Sequence, residues 1–143
     1  MGIAASSDCV FCAVVAGAPH HVVYRDDRHV AFLDHAPVLA GHTLVVPMTH
    51  YETFEDMPDE ALGPFFALAK RISRAFATAL GAEGTLTAMN TRISQSVPHV
   101  HVHVVPRRKG DGLFSPNRPF WMRQKYKTGE AEQIAAKLRA ALS

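Results

Sequence analysis

Hydrophobic and polar positions along this chain follow two periods, and the switch between them marks out its elements. From residue 99 the order is His99-Val100-His101-Val102-His103-Val104-Val105. Successive side chains of a strand point to opposite faces, so the three histidines share one face and Val100, Val102 and Val104 fill the other. Neighbouring histidines then stand roughly 6.6–6.8 Å apart along the strand. β-Branched valine favours this conformation, whereas a helix would scatter the imidazoles around its circumference. The pattern predicts a row of imidazoles on a rigid platform, backed by an apolar core.

The two-residue period recurs upstream. His21 to Arg25 and His29 to Asp34 read as strands around an Asp26-Asp27 turn. Gly41-His42-Thr43-Leu44-Val45-Val46-Pro47 reads as another, ended or placed at an edge by Pro47. Gly84 to Asn90 reads as a fourth. The helical period appears three times. Residues 8–17 form a short helix after an Asp8 cap, ending at Gly17. Pro58 to Leu80 carries one apolar stripe through Leu62, Phe65, Ala69, Ile72, Phe76 and Leu80, and Gly81 stops it. Thr128 to Leu142 reads as a terminal helix capped by Thr128. Thr91 to Pro98 is a polar loop leading into the histidine strand, Arg107 to Gly112 is a basic turn, and Trp121 to Lys127 is a short strand or contact arm.

Composition narrows the class. A length of 143 residues with 48% hydrophobic positions suits one compact domain over residues 1–143. A net charge of +2 argues against bulk electrostatic binding of nucleic acid, and no specific nucleic-acid binding is expected. No apolar run approaches the ~20 residues of a membrane span. Met1 to Ser7 lacks the features of a secretory signal, so a cytoplasmic protein is expected. Met1-Gly2 with Ser6 matches a myristoylation pattern formally, which we read as coincidence.

The candidate chemistry starts from the histidine row. Imidazole binds metals, and it also serves as nucleophile and acid near neutrality. Asp34 ends a strand just before Pro37, where a carboxylate either meets a ligand or caps the turn. Hydroxyls, an amide and backbone N–H groups in the loop before His99 suit an oxyanion. Cys9 and Cys12 form a Cys-x-x-Cys that reads as half of a tetrahedral zinc site rather than a disulfide.

Four stretches together resemble the histidine triad family of nucleotide hydrolases and transferases: Cys9-Val10-Phe11-Cys12; Ala31-Phe32-Leu33-Asp34-His35-Ala36-Pro37; Gly41-His42-Thr43-Leu44-Val45-Val46-Pro47 with His50; and Gln95-Ser96-Val97-Pro98-His99 through Arg107. The likeness covers about residues 8–112, leaving 113–143 as a C-terminal extension that looks like that of a bacterial branch. The resemblance implies an α+β fold: about five antiparallel strands, one long helix and one or two short ones, in a homodimer. It implies attack on the α-phosphate of nucleoside phosphoramidates or dinucleoside polyphosphates, through a nucleotidyl-histidine intermediate. His101 would be the nucleophile. His103 would hydrogen-bond the phosphate, His42 would complete the polar shell, and Gln95 and Ser96 would sit at the phosphate or leaving group. Asp34 would accept the ribose hydroxyls, Phe11, Leu33 and His35 would line the pocket of a purine base, and Asn90 would contact the nucleotide. Bacterial members and their relatives hold a structural zinc at positions matching Cys9, Cys12, His50 and His99; no organic cofactor is implied. Ser94 stands where the family has glycine, His35 where it has an aliphatic residue, and the loop from Asn90 to His99 is about two residues short.

Two other readings compete. The row could ligate a catalytic metal, although no acidic residue neighbours it in sequence. Alternatively the chain could bind nucleotides for a partner with little turnover.

Overall fold

A computed structural model of the chain describes residues 8–143. The stretch Met1 to Ser7, with its signal and myristoylation readings, lies outside the described residues. The chain runs α1 (Val10–Val15), β1 (Val22–Arg25), β2 (His29–Leu33), β3 (Thr43–Pro47), a 3₁₀ turn (Phe54–Asp56), α2 (Asp59–Leu80), β4 (Gly84–Ala88), β5 (Val102–Arg107) and α3 (Glu130–Leu142). The five strands form one antiparallel sheet in the order β1-β2-β3-β5-β4. This is the expected α+β architecture, with one long helix and two shorter ones.

Strand alternation divides the side chains between two faces. Ala31, Leu33, Val45, Val100, Val102 and Val104 pack against Phe65, Ile72 and Phe76 of α2 and Ala135 and Leu138 of α3. Val30, Phe32, Leu44 and Val46 point the other way, onto Phe11 and Val14 of α1. Among the described residues no helix is long and apolar enough to cross a membrane.

The observed boundaries shift for identifiable reasons. The β5 ladder begins at Val102 rather than His99. Pro47, at the end of β3, has no N–H to donate, and its carbonyl instead accepts from the His99 ring at 2.9 Å. His99 to His101 therefore lead into β5 outside the ladder, yet Val100 packs in the same core as Val102 and Val104. The N-cap of α1 is Cys9, not Asp8: its sulfur accepts from the Cys12 N–H at 3.4 Å. Gly129, at φ 80, starts α3 one residue past Thr128. Residues 121–127 are a contact arm without strand pairing. Gly41 is required where it stands: at φ 97 a Cβ would meet Leu80 and Pro106 side-chain carbons at 2.9 Å.

Candidate active site

Register builds the floor of the site. Phe32 lies opposite Leu44, Leu44 opposite His103, and His103 opposite Ala88. These four side chains make one row across the sheet, on the face away from α2 and α3. They floor a cleft of about 780 Å³. Val10 and Phe11 of α1 wall one end, beside Phe32 and His20. Leu86 of β4 walls the other, with Phe114, Phe120 and Trp121 of the arm. Asn90, Ser94 and Ser96 line the cleft from the loop before His99.

The hydrogen-bond partners of the imidazoles assign their protons, because a backbone N–H only donates and a carbonyl only accepts. The Val38 N–H donates to His42 Nδ1 at 3.2 Å. The His42 proton is therefore on Nε2, which donates to His103 Nδ1 at 2.9 Å. His103 must then carry its own proton on Nε2. His101 is set the opposite way: its Nδ1–H donates to the His99 carbonyl at 2.8 Å, leaving a lone pair on Nε2. Burial keeps the set neutral. It pulls His42 down to about 2 and His103 down to about 3, each helped by the neighbouring imidazoles and Arg123. His101 is also lowered by burial, against the opposing pull of the His99 carbonyl and Asp34. Phe11 packs edge-on against His101 at 4.9 Å, and Trp121 edge-on against His103 at 4.9 Å.

Asp34 is buried at the end of β2. Its Oδ1 accepts from the Ala36 N–H at 3.0 Å, the turn contact, and from Arg123 Nη2 at 2.7 Å. Its Oδ2 lies 3.7 Å from His42 Nε2, but His42 is neutral, so this is a polar contact rather than an ion pair. The fold thus brings an acid beside the histidine row that sequence adjacency did not show. Arg123 reaches Asp34 because the arm is tied along residues 36–41. The Arg123 Nε–H donates to the Ala36 carbonyl. The Gln124 N–H donates to the Pro37 carbonyl, Arg118 and the Gln124 amide donate to the Val38 carbonyl, and the Gly41 N–H donates to the Tyr126 hydroxyl.

Behind the cleft, Cys9, Cys12, His50 and His99 form a second cluster, all buried, with their ligand atoms within 4.8 Å of one another. Tetrahedral zinc with Zn–S of about 2.3 Å and Zn–N of about 2.0–2.1 Å requires S···N edges of about 3.5 Å. Cys9 Sγ and Cys12 Sγ each lie 3.5 Å from His99 Nδ1, while Cys12 Sγ to His50 Nδ1 is shorter at 2.9 Å. The His99 Nε2–H bond to the Pro47 carbonyl turns the Nδ1 lone pair toward the sulfurs, as an outer partner of a metal-bound imidazole does. Donor type, number and orientation all fit a closed zinc site.

The structure gathers His101, His103, Asp34, Phe11, His35, Asn90 and Ser96 around one cleft. His42 sits behind His103, fully buried, rather than on the cleft surface. Two expected residues are elsewhere. Leu33 faces α2 and α3, because it is one position out of phase with the cleft face; Phe32 takes the wall position. Gln95 is spent on the loop itself: its Oε1 accepts from the Arg92 N–H at 2.8 Å, and its amide donates to the Glu52 and Val97 carbonyls. Sequence reasoning missed His20, Trp121 and Arg123. Parity could have found Phe32. Arg123 lies 89 residues from Asp34, and no local pattern marks it.

The HIT domain model matches residues 16–110. A HIT-like protein of Methanocaldococcus jannaschii is 44% identical over 107 residues, covering 73% of this chain and 82% of its own. An adenylylsulfatase of Arabidopsis thaliana is 32% identical over 112 residues, covering 76% of this chain and 57% of its own. The crystal structure of a zinc-bound histidine triad protein from Mycobacterium smegmatis superposes with a TM-score of 0.81 at 39% identity, covering 94% of this chain and 93% of that one.

Proposed function

The chain belongs to the HIT domain family, and on that premise we propose that it is a nucleotide hydrolase or transferase acting at the α-phosphate of a nucleoside phosphoramidate or dinucleoside polyphosphate. The observation that carries this reading is the pair of opposed tautomers. His101 offers an unprotonated Nε2 and His103 a protonated one, so a phosphoryl group between them meets a nucleophile and a hydrogen-bond donor. The His101 Nε2 lone pair forms the bond to phosphorus. The bond from phosphorus to the leaving nitrogen or oxygen breaks with its electron pair, and the leaving atom takes up a proton from water. Water then cleaves the nucleotidyl-histidine, so that one water is consumed and a nucleoside monophosphate released. The His99 carbonyl stabilises the charge that develops on His101 by accepting its Nδ1–H.

Asp34 binds the ribose through Oδ2, and Phe11 with Phe32 flanks a purine base. Ser96 and Asn90, which line the cleft, would contact the phosphate. Cys9, Cys12, His50 and His99 would hold a zinc ion, whose contribution when bound is to fix α1 to the sheet and hold the chain leading into His101. The protein acts as a homodimer. Against the metal-hydrolase reading, the three imidazoles of the row do not converge: His99 Nδ1 faces the two thiols and His101 Nδ1 faces a carbonyl.

The test is rapid mixing with nucleotide radiolabelled at the α-phosphate, followed by an alkaline quench. Wild type carries a covalent label, whereas His101→Ala carries none and loses turnover while still binding nucleotide. An undiminished kcat in His101→Ala overturns the mechanism.

A further inference from the structure

The loop before His99 holds two residues other than glycine in the left-handed region, Arg92 at φ 65 and Ser94 at φ 63. That conformation crowds a Cβ against its own backbone and persists only where the surroundings impose it. The two positions differ in what their side chains do for the fold. The Arg92 guanidinium bonds Glu55 of the 3₁₀ turn. Ser94 serves the fold through its backbone alone: its carbonyl accepts from Asn90 Nδ2 at 3.0 Å. Glycine would offer the same carbonyl and take the same φ without strain. The Ser94 hydroxyl has no hydrogen-bond partner among the described residues. Its side chain is exposed and lines the cleft that holds His101. A strained backbone that carries an idle hydroxyl into a cleft points to a ligand as the partner of that hydroxyl.

The loop also fixes where the hydroxyl stands. Arg92 is tied to Glu55 on one side, and on the other the Gln95 amide donates to the Glu52 and Val97 carbonyls. The Asn90 amide clamps Ser94 itself. Little freedom is left to lose when a ligand binds. Its neighbours decide what it binds. Among the described lining residues Arg123 is the one lysine or arginine, and it is paired with Asp34. A phosphoryl oxygen beyond the α-phosphate therefore draws on neutral donors, and an idle hydroxyl is one. Ser96 is read above as a contact to the α-phosphate, and Ser94 lies two residues further back along the loop. Resting on the proposed reaction, we propose that Ser94 is a specificity-determining residue: its hydroxyl donates a hydrogen bond to an oxygen of the leaving group, and so favours a leaving group that carries phosphoryl oxygens over a bare amine. The bonds made and broken at phosphorus are unchanged, and the hydroxyl keeps its proton throughout.

The test uses diadenosine tetraphosphate, whose leaving group carries phosphoryl oxygens, and unsubstituted adenosine 5′-phosphoramidate, whose leaving group is ammonia. Turnover is measured on the full-length protein and on its Ser94→Gly and Ser94→Ala variants. Both variants lack the hydroxyl, whereas only glycine relieves the backbone, so a role of the hydroxyl requires the same change in each. The ratio of kcat/KM for the tetraphosphate to that for the phosphoramidate should fall by about three- to thirtyfold in both, the scale of one exposed hydrogen bond. Ser94→Gly should melt no lower than wild type. Binding is measured separately by calorimetry in His101→Ala, with ADP, which carries a phosphoryl group beyond the α-phosphate, and AMP, which does not. Adding Ser94→Gly should weaken ADP relative to AMP by a similar factor. The proposal is overturned by ratios that stay within about twofold of wild type in both variants, or by a change in one variant and not in the other. A lower Tm in Ser94→Gly overturns it as well, because the side chain would then be held for the loop's own sake. Absence of turnover in wild type would refute the proposed reaction alone, because the affinities for ADP and AMP still test Ser94.

Discussion

His101 and His103 share a strand face, with ring centroids 5.0 Å apart, and they hold their protons on opposite nitrogens. The difference comes from what lies behind each ring: a carbonyl behind His101, and an imidazole N–H behind His103. Two identical side chains thereby acquire distinct roles without a charge in either.

His42 sets the His103 tautomer. His42→Ala removes the donor to His103 Nδ1 and frees that ring to protonate on either nitrogen. Leaving a buried polar group unsatisfied costs about 1–3 kcal/mol. We expect kcat to fall by the corresponding factor of about 5 to 150, with KM changed less. A kcat within twofold of wild type would show that the relay has no catalytic role.

Buried neutral histidines make stability depend on pH. His42 and His103 have folded values near 2 and 3, against 6.5 when unfolded. Between those limits the unfolded chain binds more protons, so stability is full above about 6.5 and falls as the pH drops toward 3. Each group contributes a slope of up to about 1.4 kcal/mol per pH unit. Urea unfolding at pH 7, 6 and 5 should show a steeper loss in wild type than in His103→Gln, and parallel losses would contradict the assignment.

Zinc binding is checked by elemental analysis of protein grown with added zinc, with about one ion per chain expected. Because binding energy at such a site is also folding energy, Tm should drop on chelation and in Cys12→Ser. A stoichiometry near zero with an indifferent Tm would leave Cys9 and Cys12 as buried thiols.

At the end proposed to hold the ribose, Asp34→Asn should weaken a ribonucleotide by about 1–3 kcal/mol and its 2′,3′-dideoxy analogue by much less. Arg123→Ala should reduce the same difference. Because both residues act through one carboxylate, the double variant should lose less than the sum of the singles. Calorimetric titration of the four proteins measures this, and strict additivity would separate Arg123 from the site.

How much of this was legible in the sequence depended on the distance over which each signal acts. Alternation of histidine with valine placed His101, His103 and the buried valines correctly, because Val100 shares the core of Val102 and Val104 even though the ladder stops short of His99. The apolar stripe of α2 and the stop at Gly81 were equally plain. Leu33 was misplaced by one position, and a one-residue error in a strand changes the face. Gln95 was misread because its side chain bonds locally, a competition that residue type does not reveal. Arg123, Trp121 and the aromatic end come from the arm, whose position depends on hydrogen bonds to residues 36–41 and on no periodicity of its own.

Position in the chain also sets the order in which the parts of the cleft are made. When β5 has been translated, the chain already holds the three histidines, Asp34 and all four sulfur and nitrogen donors. The guanidinium for Asp34 and the far aromatic wall follow only with the arm, on the order of seconds later at about 5–20 residues per second. Synthesis therefore supplies His101 and one half of the trough before residues 113–127, which wall the other half.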